Sequence, residues 1–262
     1  MAAPAAASAP PLESSMLARA ARILYSFTST SPELSMSEVV RRTGLPRSSV
    51  HRILDQLVQL RALERTGSRY RLGLGLLELG ALAVHQNRLR ETALPHLRRL
   101  HEATGALVHL AVLDGPEIVY LEKIGDGPEG RVPSRLGGRQ PAYCTGAGKA
   151  LLAFAGEDEL AETLAAGLPA RTPFTITDPG ALRRELAYIR DHGVAFDREE
   201  GHRGVSCVAA PLRDASGRGV AAISVCGPPS RMDPRRVVPP LLTTARDVWR
   251  ALFTAGRHPR VR

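Results

Sequence analysis

Arg47, Ser48, Ser49, His51 and Arg52 crowd into one short stretch, and each brings hydrogen-bonding groups suited to nucleic acid. Arginine can grip guanine O6 and N7 with two hydrogen bonds, while serine hydroxyls and the N–H groups of a helix start suit phosphate oxygens or base edges. At roughly 100° per residue, Val50, Ile53, Leu54 and Leu57 share one helical face. That turns Ser48, Arg52 and Asp55 to the other face and leaves Arg47, Ser49 and His51 near the start. Arg65 and Arg69 recur on either side of Thr66-Gly67-Ser68, as on the two arms of a β-hairpin. The chemistry is that of a duplex-DNA reader.

Other reactive side chains are less ordered. Cys144, Cys207 and Cys226 are odd in number and far apart with no C-x-x-C pair, which suggests neither a disulfide framework nor a zinc knuckle and fits a reducing cytoplasm. A thiol enzyme using Cys144 or Cys207 with His192 or His202 is the catalytic alternative, but no spacing singles it out. The GAGKA segment fails as a phosphate loop, because Tyr143 stands where Gly is required and Ala150 where Ser or Thr is required; Leu151 likewise replaces the third Gly of G-x-G-x-x-G. Glu157-Asp158-Glu159 suits a helix start better than a metal. No cofactor, no metal and no catalytic residue is expected.

The elements that must carry the basic stretch can be read locally. Ser35 and Glu38 have the spacing of a capping box, and Gly44 stands where a short helix needs positive φ to stop. Pro46 fits the first turn of the next helix. Upstream, Ser14 or Ser15 can cap a helix in which Leu17, Ala20, Ala21, Leu24 and Phe27 recur at helical spacing. Downstream, Leu63–Arg65 and Arg69–Leu72 form a hairpin with Leu63, Tyr70 and Leu72 inward and Glu64 and Arg71 outward. This is a winged helix-turn-helix over residues 12–73, behind a disordered arm at 1–11. The segment holds ten arginines against five acids, a surplus of five within the whole chain's formal +9. Such a surplus is the footprint of a phosphate-binding surface.

The chain of 262 residues, 44% apolar, can bury two cores. No apolar run approaches the ~18 residues of a membrane span, and the start lacks a basic n-region, so neither membrane insertion nor export is expected. Residues 74–88 read as a linker helix so evenly apolar that it must be buried. Gly73, Gly75 and Gly80 would permit close approach, either of this chain itself or of the same helix in a second copy, the latter making a homodimer with paired heads. Residues 89–256 alternate hairpins (Leu107–Leu113 with Ile118–Ile124, Ser206–Leu212 with Val220–Val225) with helices near Ala181–Arg190 and Asp233–Phe253. This is an α+β sensor arrangement, followed by a tail at 257–262. Thr145-Gly146-Ala147-Gly148 precedes an apolar helical run whose free N–H groups would attract a carboxylate, and Ser224 and Cys226 point to one side of a strand.

TGLPRSSVHRIL, RYRLG, PAYCTGAGKALLA, FDREEGHRGVSCVAAPL and AAISVCGP, in this order, resemble the IclR family of bacterial transcriptional regulators over residues 14–255. The resemblance implies a linker helix that dimerises and a GAF-like effector-binding domain. It also implies dimers or dimers of dimers on palindromic double-stranded operators, and repression more often than activation. It places Gly146, Ala147, Asp197, Cys207, Ser224 and Cys226 around a small-molecule effector, with a carboxylate the expected class. Cys226 stands where the family more usually has Ser, which removes a hydroxyl donor.

Overall fold

A computed structural model describes residues 15–126, 132 and 134–254, which form two compact units dividing between Gln86 and Asn87. The arm at 1–11, Ser14 and the tail at 257–262 lie outside the described residues.

The first unit opens with α1 (Met16–Tyr25), capped by Ser15 Oγ accepting from the Ala18 N–H at 3.1 Å. A three-residue strand, β1 (Glu33–Ser35), leads directly into α2 (Met36–Thr43). The capping box forms: the Ser35 N–H donates to the Glu38 carboxylate at 2.7 Å, and Gly44 stops the helix at φ 66°. Helix α3 (Arg47–Gln59) follows, with Pro46 as the cap residue, one position before the expected first turn; its ψ of 139° is extended, so the helix begins only at Arg47. Strands β2 (Leu63–Thr66) and β3 (Arg69–Leu72) make the wing, and β1 joins β3 as an edge strand that local pattern did not announce. Ile23, Leu34, Val39, Val50, Ile53, Leu54, Leu63 and Tyr70 close a single small core. Leu72, expected inward, is 49% exposed, because the strand ends there and the chain turns into the next helix.

That helix, α4 (Leu74–His85), corrects one expectation and sharpens another. Gly73 and Gly75 accommodate this chain's own backbone: a Cβ on either would lie 2.4 or 2.8 Å from the Arg61 carbonyl oxygen. Only Gly80 faces open space. Among the described residues no part of the chain fully buries a residue of α4, and Leu77 and Leu79 are 67% and 65% exposed.

The second unit is a six-stranded antiparallel sheet with helices on both faces. Its strands are β4 (Leu107–Asp114), β5 (Glu117–Ile124), β6 (Arg139–Pro141), β7 (Ala195–Arg198), β8 (Ser206–Arg213) and β9 (Gly219–Gly227), in spatial order β6-β5-β4-β9-β8-β7. Helices α5 (Arg88–Thr104) and α9 (Pro234–Thr254) cover one face through Leu97, Leu100, Val237 and Leu241, which pack on Val208, Ile223 and Val225. Helices α6 (Gly146–Leu152), α7 (Glu157–Ala165) and α8 (Pro179–His192) cover the other through Ala147, Leu151, Leu160, Leu182 and Leu186. Strand alternation decides which residues reach which face. Along β9, Ala221, Ile223 and Val225 go to the first core, while Ala222, Ser224 and Cys226 turn to the second side. The unit has the α+β, GAF-like form.

Candidate functional site

On the first unit, α3 buries Val50, Ile53, Leu54 and Leu57 and exposes Arg47, Ser48, His51 and Arg52, with Ser49 half-buried. Among the described residues, Ser48 and Arg52 have no side-chain partner, so both are open to an outside ligand. His51 is tied to Asp55 one turn on, Nδ1 to carboxylate at 3.1 Å, which covers the one acid on this face. Gln56, one turn beyond Arg52, completes the exposed strip; the sequence reading passed over it because it carries no charge. The wing arginines are already occupied: Arg65 Nε donates to the Gly67 carbonyl at 3.0 Å, and Arg69 donates to the Glu33 carbonyl at 3.1 Å and lies 3.8 Å from Glu38. Arg47 reaches Ser37 Oγ at 3.4 Å.

On the second unit, Gly146, Ala147, Asp197, Cys207, Ser224 and Cys226 line one cavity, joined by Tyr120, Ser134, Thr145, Gly201 and His202. Sheet register explains the meeting: Asp197 pairs with Cys207 and Cys207 with Cys226, so three consecutive strands present one row, and Ser224 with His109 presents the next. Residues directly opposite in antiparallel strands point to the same face. Gly146 brings the start of α6 down on this row, where a Cβ would meet that of Cys207 at 3.4 Å. Gly148 is the tighter position, with a Cβ falling 2.2 Å from the Ala142 carbonyl oxygen.

The cavity has an unusual charge balance. Among the described residues no arginine or lysine lines it, yet Asp197 does, 4% exposed and accepting the Glu200 N–H at 2.8 Å. Behind it Lys149, fully buried, donates to both Glu200 oxygens at 2.6 and 2.8 Å and to Glu185 at 3.2 Å. Two carboxylates thus consume the Lys149 charge. Burial first, and the Glu200 charge second, push the Asp197 carboxyl up to about 7, against the opposing Glu200 N–H and Lys149. A buried carboxyl poised there accepts or gives up a proton near neutrality.

His109 sits beside the cavity, fully buried, its Nε2 2.8 Å from Ser134 Oγ and its Nδ1 3.5 Å from Ser224 Oγ. His202, half-buried on the wall, leaves Nε2 without a partner. Neither was singled out as a pocket residue, because a lone His on an apolar strand or in a loop carries no spacing signal. Cys144 is elsewhere in character: fully buried, its Sγ faces the Pro141 carbonyl at 3.9 Å, and burial pushes its thiol up to about 12.

A basic helix-and-wing head followed by a sheet whose cavity sets a few polar groups in a largely apolar lining defines a DNA-binding regulator with its own small-molecule sensor. Residues 16–67 match the family model described as the IclR helix-turn-helix domain, and residues 81–250 match that of the bacterial transcriptional regulator IclR C-terminal region. The chain belongs to the IclR family of bacterial transcriptional regulators. It is 36% identical over 218 residues to the HTH-type transcriptional regulator XynR of Escherichia coli K12, covering 82% of this chain and 86% of that protein. It is 33% identical over 249 residues to the HTH-type transcriptional repressor AllR of the same strain, covering 93% and 92%. Among solved structures, an IclR homolog from Microbacterium hydrocarbonoxydans complexed with 4-hydroxybenzoate superposes with a TM-score of 0.81 at 34% identity, over 92% of this chain and all (100%) of that one.

Proposed function

We propose that this regulator is a repressor that binds a palindromic double-stranded operator as a homodimer or a dimer of dimers. A small carboxylic acid then releases it by entering the cavity of the second unit. The observation that carries the reading is the cavity itself, which gathers Gly146, Ala147, Asp197, Cys207, Ser224 and Cys226 from four elements around one enclosed space. With Asp197 poised near pH 7, a protonated carboxyl can hydrogen-bond an incoming carboxylate without opposing its charge. The 4-hydroxybenzoate complex of the Microbacterium homolog supports that ligand class.

Reading the bases falls to Ser48 and Arg52, with Arg47, Ser49 and His51 near the same helix start and Arg65 and Arg69 on the wing. The exposed leucines of α4 pair two copies. Its place is the cytoplasm, with the DNA; among the described residues no helix is long and apolar enough to cross a membrane. The protein works by binding, without catalysis. No hydrogen bond joins Cys144 or Cys207 to His192 or His202 among the described residues, and the Cys144 thiol is held protonated by its burial.

The test is a mobility shift of the full chain on the DNA beside its own gene, titrated with 4-hydroxybenzoate and with small aliphatic acids. Release by one of these acids, matched by a rise in melting temperature, is expected. An operator complex indifferent to every carboxylate, with no thermal shift, refutes the ligand class.

A further inference from the structure

Cys207 and Cys226 stand directly opposite each other in the antiparallel β8–β9 pair, and both line the cavity. Opposed residues of such strands have Cα atoms about 4.5–5.5 Å apart with side chains on one face. A disulfide spans roughly 4.4–6.8 Å, so the spacing of directly opposed strand residues falls within its reach. The two sulfurs are not equivalent. Cys226 is 3% exposed, its Sγ 3.6 Å from His109 Nδ1 and 3.7 Å from Ser224 Oγ, whereas Cys207 is half-buried. The facing Cys207 thiol, and after it the His109 ring, hold Cys226 below the usual thiol range, and the same contact pushes Cys207 up. Cys226, with its sulfur against the His109 ring and Cys207 directly opposite, is therefore the sulfur better placed to attack as a thiolate. The third cysteine, Cys144, has neither a facing thiol nor an ionised form near neutrality.

We propose that Cys207 and Cys226 form a reversible disulfide, making the cavity a peroxide-responsive thiol site. The oxidant class is a small hydroperoxide. The cavity leaves about 30 Å³ for the centres of water-sized molecules, so a molecule little larger than water, such as hydrogen peroxide, can enter. The Cys226 thiolate attacks the terminal oxygen, the O–O bond breaks, and the departing alkoxide or hydroxide takes the proton that the thiol had released. Cys226 is then a sulfenic acid. The Cys207 sulfur attacks the Cys226 sulfur, the S–O bond breaks, and hydroxide leaves with the Cys207 proton as water. Two thiols have given two electrons to one peroxide, and a thiol reductant reverses the bond. The crosslink removes two donors from the lining beside Gly146; the redox step itself holds whatever effector the cavity takes.

The test uses the full chain, reduced, desalted and treated with hydrogen peroxide. Titratable thiols, counted after denaturation, should fall from the chain's three to one, and the intact mass by two hydrogens, about 2 Da. A peptide map should join Cys207 to Cys226, and dithiothreitol should restore all thiols. Cys144→Ser should lose the same two hydrogens. Cys207→Ser, which places a hydroxyl of similar size, should lose none and instead carry oxygen on Cys226. If that variant does not fold, Cys207→Ala serves in its place. Wild-type protein that keeps three thiols, gains only independent oxygens, or crosslinks equally well without Cys226 or Cys207 overturns the proposal.

Discussion

At the scale of single residues, Arg52 and Asp197 carry opposite lessons. Arg52 is exposed and unpaired among the described residues, so its worth is set wholly by what it meets outside the protein. Arg52→Ala should cost roughly 1–3 kcal/mol at the operator and relax specificity at one base pair if it reads a base; if it touches phosphate, binding weakens equally on all sequences. Quantitative mobility shifts on operator and scrambled duplex separate the two. Asp197 is buried, and its carboxyl has been raised from 3.8 to about 7. The folded chain therefore holds a proton that the unfolded chain has lost, so its contribution is full below about pH 4 and disappears as pH climbs to 7. Asp197→Asn should flatten that decline, seen as a melting temperature that rises relative to wild type at pH 8 and matches it near pH 4. Effector affinity should follow the same proton, falling as pH rises above 7.

At the scale of elements, the two glycines of α6 divide fold from ligand. Gly148→Ala drives a methyl into the Ala142 carbonyl, 2.2 Å away. It should destabilise the second unit by at least the ~1–3 kcal/mol of ordinary overpacking, read by denaturant unfolding. Gly146→Ala meets Cys207 at an ordinary 3.4 Å. It should leave stability nearly unchanged while narrowing the cavity, so that thermal shifts with effector shrink. The same elements show where sequence alone succeeds. The Ser35–Glu38 box, the Gly44 stop and the apolar stripe of α3 are written within a few neighbouring residues, and the chain follows them. Strand β1 was not readable, because the alternation of Glu33-Leu34-Ser35 spans only three residues and the strand exists through pairing with Arg69–Arg71 far along the chain. Lys149 escaped for a related reason: its burial is made tolerable by Glu200 and Glu185, from other elements, and spacing could not foretell their meeting. The cavity row Asp197–Cys207–Cys226 became visible only once register was fixed, although the family resemblance had already pointed to its members.

At the scale of the whole molecule, the surplus of five arginines in the head predicts a binding constant that falls steeply and linearly in log salt. Replacing Arg52 by a neutral residue should lower that slope by about one if the contact is to phosphate. The bare leucines of α4 carry a further prediction. Leu77→Glu and Leu79→Glu together should shift sedimentation toward the single chain without changing the melting of the second unit, whose core they do not enter.

Those leucines also set how the molecule answers to its own abundance. A helix left largely exposed among the described residues would gain shelter through the proposed association, and mass action would then tie its order to the number of copies present. Dilution would loosen the connector before either globular half melts, so a cell holding few copies would have heads that cannot grip both arms of an operator together. The dose of this regulator would thus be felt twice, once in how many sites are filled and again in how many chains are fit to fill them.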